Sequence, residues 1–310
     1  MVSLAVQLPA PNYTAPAHGI LTAATVLYED PDTLGEDKDW RRGGTWVPEL
    51  CNLAPSLWRA GCVGPDDPLS GGLVGAPAEL PEQPAFGIDV TVRCTLGGTN
   101  PAELRKIAVR AGEALTPVAL EQQLWDGTDT EVLSLPGSIG TTGGDAFAPT
   151  TAAVLGTGPL TPVGALAALT TALGRCAAGS RGIIHAPAGL VDHWLAANVI
   201  DTEGARLVTR SRGDSVAAYS AASDHGPRGQ TADLDSGRMW AYATGPIIIR
   251  LGPSWVAAEM PTGQVGRDGA GSPTGAFNHR TNDVSFTVRR DGLFLMDPCC
   301  VFAVEVSTIP

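Results

Sequence analysis

Asn100 to Thr128, NPAELRKIAVRAGEALTPVALEQQLWDGT, is the longest helical pattern in the chain, and the rest is arranged around it. Asn100 can accept a hydrogen bond from an orphan amide of the first turn. Pro101 suits the first helical position, where its missing N–H costs nothing, and Glu103 completes a capping box. Apolar residues recur at Leu104, Ile107, Ala108, Ala111, Leu115, Val118 and Ala119, a spacing of three and four that predicts one buried stripe. Gly127 supplies the stop. Pro117 interrupts the pattern, because its ring clashes with the carbonyl one turn back and removes a backbone bond. A bend or restart near Thr116 is therefore expected, giving two rods in line.

Upstream of this helix, residues 1–45 hold scattered prolines and a charged run, EDPDTLGEDKDWRR, from Glu29. Such a segment buries too little apolar surface to offset its ordering entropy, so it reads as an extended arm, either disordered or laid across a neighbouring subunit. Trp40 favours the second option. Residues 46–98 read as two strand-like legs, Trp46 to Cys62 and Phe86 to Leu96, around a Pro/Gly/Asp-rich tip from Gly64 to Pro84. The second leg alternates, with Ile88, Val90 and Val92 on one side and Asp89, Thr91 and Arg93 on the other. A long hairpin loop and an ordinary edge hairpin of the domain sheet both fit.

Downstream, Ser134 to Thr161 is a Gly/Thr/Pro/Ala stretch without a period. Thr161 as N-cap and Pro162 at the first position open a helix through Leu166, Leu169 and Leu173 to Gly179. A strand from Gly182 to His185 follows. Pro187 opens a further helix with Leu190, Trp194 and Leu195 as its apolar face. Residues 205–220 read as a hairpin turning at Gly213-Asp214. Arg238 to Leu251 is a buried strand broken at Gly245-Pro246, and strands at Val284 to Val288 and Cys299 to Val306 close the chain. Helices and strands alternate irregularly, which predicts an α+β or mixed class rather than a doubly wound sheet.

The composition limits function. At 310 residues and 44% hydrophobic content the chain can bury a sizeable core, with roughly two domains as a prior. No apolar run approaches the length of a membrane span, and the N-terminus lacks the basic start and apolar core of a signal peptide, so cytosolic synthesis is expected. A formal charge of −12 argues against nucleic-acid recognition, which needs a basic face. Cys51, Cys62, Cys94, Cys176, Cys299 and Cys300 show no zinc-site spacing, and buried free thiols are the expectation. Oxidation of a Cys51, Cys62 and Cys94 cluster after lysis is the alternative.

Catalytic patterns are weak. Ser215 after Gly213-Asp214 lacks a G-x-S-x-G elbow. His185 and His193 flank a helix start and read as packing or capping residues rather than ligands. Gly137 to Gly144, GSIGTTGG, lacks the Lys-Ser/Thr of a phosphate loop. Arg41-Arg42 and Arg289-Arg290 read as salt-bridging pairs, with a subunit contact as the functional option. No metal or cofactor is expected.

The order of these segments carries a resemblance. Trp46 to Cys51 (WVPELC), Phe86 to Cys94, Leu120 to Gly127 (LEQQLWDG), Gly182 to Leu190 (GIIHAPAGL) and Trp240 to Gly245 together resemble the major capsid proteins of tailed bacteriophages, those of actinobacteriophages in particular, with the Hong Kong 97 type fold. The resemblance implies a peripheral domain (99–154 and 236–310), an axial domain (155–235), an E-loop (46–98) and an N-terminal arm (1–45). It also implies a virion protein assembled in a host cytoplasm into pentamers and hexamers of an icosahedral head around double-stranded DNA. Its partners would be a separate scaffolding chain, since nothing precedes the arm, a portal and a decoration protein. Trp40, Arg41, Arg42, Trp46, Trp58, Arg289 and Arg290 become the candidate subunit-interface residues. The type member joins an E-loop lysine to an asparagine. Here Lys38 and Lys106 are the only lysines and 46–98 has none, so Asn278 and Asn282 are expected to lack a partner. The weighed alternatives are an encapsulin-type nanocompartment and a soluble hydrolase using Ser215 or a cysteine.

Overall fold

The computed structural model describes residues 17–29, 86–95, 101–125, 152–176, 181–219, 226–227, 230, 232–257, 276–278, 283–296 and 300–309. In chain order the elements are α1 (Ile20–Ala23), β1 (Thr25–Tyr28), β2 (Phe86–Thr95), α2 (Pro101–Trp125), β3 (Ala153–Val154), α3 (Pro162–Cys176), β4 (Ile183–Pro187), α4 (Ala188–Ala196), β5 (Ile200–Glu203), β6 (Arg206–Thr209), β7 (Ser215–Tyr219), β8 (Arg238–Thr244), β9 (Ile247–Leu251), β10 (Trp255–Ala257), β11 (Ala276–Asn278), β12 (Asp283–Met296) and β13 (Val301–Ser307). The class is α+β, as the irregular alternation predicts.

Two sheets organise the molecule. The six-stranded one is built on β12, which pairs antiparallel with β2, β9, β10 and β11, while β1 adds parallel to β9. The seven-stranded one runs β3-β13-β8-β4-β7-β6-β5. It draws β4 to β7 from the stretch expected to be axial, and β8 and β13 from the stretch expected to be peripheral. The chain passes between the sheets at Gly245-Pro246, after β8, and again between β12 and β13. These two passages touch, with the Gly245 N–H donating to the Cys300 carbonyl at 3.1 Å.

Each sheet-helix layer has its own apolar cluster. Leu166, Leu169 and Leu173 of α3 and Leu190 and Trp194 of α4 bury against Ile184, Ala241, Ala243 and Val304 on one face of the seven-stranded sheet. The helix starts where its caps predict, with the Gly164 N–H donating to Thr161 Oγ1 at 3.3 Å. Trp194 Nε1 donates to the Pro162 carbonyl at 2.7 Å and ties the two helices together. Leu195, expected on the apolar face, is exposed because the buried face runs through Leu190, Val191 and Trp194, and the next residue stands about 100° further round the helix. On the other face, Leu120 and Leu124 of α2 join Tyr219, Tyr242, Ile249, Leu251 and Phe294.

Several expectations need correction. α2 is one continuous helix with Pro117 inside it, so the restart that Pro117 could impose near Thr116 does not occur. Among the described side chains its buried positions are Ala108, Gly112, Thr116, Pro117, Leu120, Glu121 and Leu124, whereas Ile107 and Leu115 stay 40% and 43% exposed. Residues 17–29, assigned to an extended arm, pack onto this chain's own body. Ile20 is wholly buried, and β1 extends the six-stranded sheet. The stretch thought structureless before Thr161 contains β3, paired to β13, and a bridge from Leu160 to Val306. Free thiols are not what the structure shows for Cys176 and Cys300. Their sulfurs are bonded, with Cα atoms 5.7 Å apart and 124 residues between them in sequence. Sequence spacing carries no signal for so distant a pair.

Candidate functional site

The residues that carry chemistry in the sequence are held by structural partners. His185, central in β4, is wholly buried. Its Nδ1 lies 2.7 Å from the Tyr219 hydroxyl and its Nε2 2.9 Å from Thr244 Oγ1, while Thr244 Oγ1 donates to the Gly245 carbonyl at 2.9 Å. A carbonyl cannot donate, so for a neutral ring one proton assignment satisfies all three contacts: Thr244 spends its hydrogen on Gly245, His185 Nε2–H donates to Thr244, and Tyr219 donates to an unprotonated Nδ1. Burial is what favours the neutral ring, and it lowers the pKa to about 3. Burial raises Tyr219 well above its ordinary range, and the Glu121 carboxylate on α2 raises it further.

Asp214, likewise fully buried, follows Gly213, whose φ of 72° turns the hairpin. Its Oδ1 accepts the Gly182 N–H at 2.9 Å and its Oδ2 accepts Arg212 Nε at 3.0 Å, while its own N–H donates to Thr209 Oγ1 at 3.0 Å. Two donors thus hold the carboxylate, one of them at the start of β4, and Thr209 holds its backbone. Ser215 next to it opens β7 opposite Ile183, and both nitrogens of His185 are already engaged, so the two do not form a nucleophile-base pair. His193 sits on the exposed side of α4.

Of the candidate interface residues, Arg289 and Arg290 lie in β12. Arg289 Nε donates to Asp89 Oδ1 at 2.7 Å, and its guanidinium stands 5.6 Å from the Trp255 ring centre. The register explains both contacts, since Arg289 is the cross-strand neighbour of Asp89 on β2 and of Trp255 on β10. Arg290 Nε donates to the Gly252 carbonyl at 2.8 Å, with its guanidinium 5.8 Å from the Tyr28 ring centre. Burial lowers the pKa of Arg290, against the charges of Tyr28 and Glu113. Both arginines thus find partners within their own chain. Trp40, Arg41, Arg42, Trp46 and Trp58 lie outside the described residues, as do Lys38, Asn282, Gly137 to Gly144, Cys51 and Cys62. Lys106 is exposed on α2.

The polar chain through His185 was not legible beforehand. Its one trace was the alternation of β7, which puts Tyr219 on the same face as Ala217. Among the described residues no group of three or more His, Cys, Asp or Glu side chains is placed to hold a metal ion, and no helix is long and apolar enough to cross a membrane.

No protein-family profile and no characterised protein sequence matches this chain. Solved structures do. The capsid of a native GTA particle superposes with a TM-score of 0.50, covering 99% of this chain and 96% of its own at 10% identity. A chain of Mycobacterium phage Adephagia covers 98% of this chain and 96% of its own at 11% identity, with a TM-score of 0.45. The SrpI encapsulin of Synechococcus elongatus covers 74% and 76% at 10% identity, with a TM-score of 0.44. Two sheets meeting at paired crossovers, a long helix across their junction and a superposition running nearly end to end identify the architecture as the Hong Kong 97 type fold.

Proposed function

We propose that this chain is a major capsid protein whose copies tile an icosahedral phage head, as pentamers and hexamers, around packaged double-stranded DNA. The observation that carries the reading is the coextensive superposition on the GTA capsid chain, which leaves almost none of this chain for a separate domain. The side-chain inventory agrees, because His185 and Asp214 are spent on holding strands together rather than on facing a substrate. Residues 46–98 take the part of the E-loop, with Trp46 and Trp58 as anchors, and Trp40, Arg41 and Arg42 contact a neighbour from the arm. A scaffolding protein, a portal and a decoration protein are the partners of such a shell. DNA is enclosed without sequence-specific contacts, in keeping with a net charge of −12.

The shell holds without lysine-asparagine cross-links. An isopeptide needs an amine nucleophile, arginine stays protonated and cannot replace it, and the loop 46–98 contains no lysine. Expression of the chain with its scaffold, followed by sedimentation and electron microscopy, tests the reading: closed particles or capsomers are expected, and a monomer under all assembly conditions overturns it. Boiled, reduced particles should run as one band near 31.9 kDa. A ladder that survives reductant would refute the uncross-linked wall.

A further inference from the structure

We propose that the Cys176–Cys300 bond is a redox-set staple: two thiols while the chain is made and assembled in a reducing cytosol, and a disulfide once the assembled protein meets an oxidising medium. The order of events rests on the capsid reading above; the staple itself does not.

Its position gives the bond leverage. Cys300 stands immediately before β13, just after the chain has left the six-stranded sheet, and its carbonyl holds the Gly245 N–H at the other place where the chain changes sheets. Cys176 is the last residue of α3, which packs on the seven-stranded sheet. The bond therefore ties a cover helix of the seven-stranded sheet to the start of β13, beside the Gly245 crossover. Folding does not depend on it. α3 is already seated by Leu166, Leu169 and Leu173, and the Trp194 indole bonds its first residue. The reduced chain accordingly keeps its two sulfurs within bonding reach.

Access decides the chemistry. Cys300 is buried whereas Cys176 is only half-buried, so a small disulfide meets Cys176 first. The Cys176 thiolate attacks it, forming a mixed disulfide and releasing one small thiol. The Cys300 thiol then loses its proton and displaces the second small thiol. Two protein thiols are oxidised, one small disulfide is reduced to two thiols, and the electrons balance. Because the closed loop spans 124 residues, the bond removes many conformations from the unfolded chain. Cys299, the neighbour in sequence, is a competing thiol against which the pairing can be judged.

The test uses the full chain, unfolded thermally after reductant or after glutathione disulfide. Oxidation should raise the wild-type Tm by roughly 5–15 °C and yield a protease peptide joining Cys176 to Cys300, lighter by two hydrogens. Cys176→Ser should show no rise and match the reduced wild type, and Cys299→Ser should keep the rise. An unchanged wild-type Tm, an equal rise in Cys176→Ser, or a cross-link to another cysteine overturns the staple; the reversible wild-type comparison stands even if a variant fails to fold. Particles from cells lysed into an alkylating reagent should carry both thiols blocked, and a bond already closed there overturns the order of events. A chain that staples on oxidation but never assembles keeps the staple and removes the capsid reading.

Discussion

The two long helices, α2 and α3, obey different rules although both open on a cap followed by proline. In α3 every leucine at helical spacing is buried, because the helix lies on one sheet and meets it along one face. In α2 two large aliphatic residues, Ile107 and Leu115, are exposed, and the contact runs through Ala108, Gly112, Thr116, Leu120 and Leu124. Small residues let the helix approach closely. A side chain at 112 would begin 2.8 Å from Val288 Cγ1 of β12. A helix with one partner shows its buried face in its hydrophobic pattern. A helix that also carries large aliphatic residues on its outer side mixes two patterns, and residue size alone does not tell its inner face.

Deleting a leucine from α3 should break the comparison most sharply. Leu169→Ala removes a wholly buried side chain and is expected to cost about 2–5 kcal/mol in denaturant unfolding. If the loss is under about 1 kcal/mol, α3 is not seated as described. Buried Asp214 comes next. Asp214→Ala removes the acceptor of the Gly182 N–H and a carboxylate bonded to Arg212, and should cost about 2–4 kcal/mol. Gly112→Leu tests the close approach of α2 and should cost about 1–3 kcal/mol through overpacking, whereas a neutral outcome would mean that helix and β12 separate freely.

Protonation gives an effect graded with pH. The floor beneath α2 contains the His185 chain, while the floor beneath α3 is apolar. His185 titrates near 6.5 when unfolded and about 3 when folded, so between those values the unfolded chain binds the extra proton. Its contribution is complete above pH 6.5 and declines by up to about 1.4 kcal/mol per pH unit as pH falls towards 3. In a urea series at several pH values, His185→Gln should flatten that part of the profile. The smallest effect belongs to the outer face of α2. Ile107→Ala and Leu115→Ala should change the stability of the dispersed chain by no more than about 0.5 kcal/mol yet lower the yield of particles on sedimentation. A large loss of chain stability would show that these side chains already have a home within the monomer.

What could be read from the sequence follows the same division. Thr161-Pro162, the β4 strand, the Gly213 turn and the break at Gly245-Pro246 were legible because each is a local device whose physics involves a few neighbouring residues. The strand expected at Val284 to Val288 runs on to Met296, because its alternation of apolar residues breaks at Arg289-Arg290 while its pairing does not. In the fold Gly292 lies inside the strand, between Phe86 of β2 and Leu251 of β9, and the arginines are satisfied across the sheet. β1 was missed because a four-residue parallel strand gains its meaning only from Ile248 to Leu251, far along the chain. The Cys176–Cys300 pair and the Tyr219–His185–Thr244 chain were hidden for the same reason: each joins residues from separate parts of the sequence.

The ladder between β2 and β12 has a mechanical meaning. Ten consecutive residues of β2, from Phe86 to Thr95, face β12 in antiparallel register. A force drawn along β2 from either end runs parallel to the strands and perpendicular to the bonds that join them. It therefore loads the ladder in shear, so that the bonds strain together and none can open first. A force applied across the sheet would instead peel the strands apart one bond at a time. The same hydrogen bonds thus make a stiff tether in one direction and a zipper in the other, and whatever pulls on the segment leading into β2 is felt first along β12 from Asp283 to Gly292.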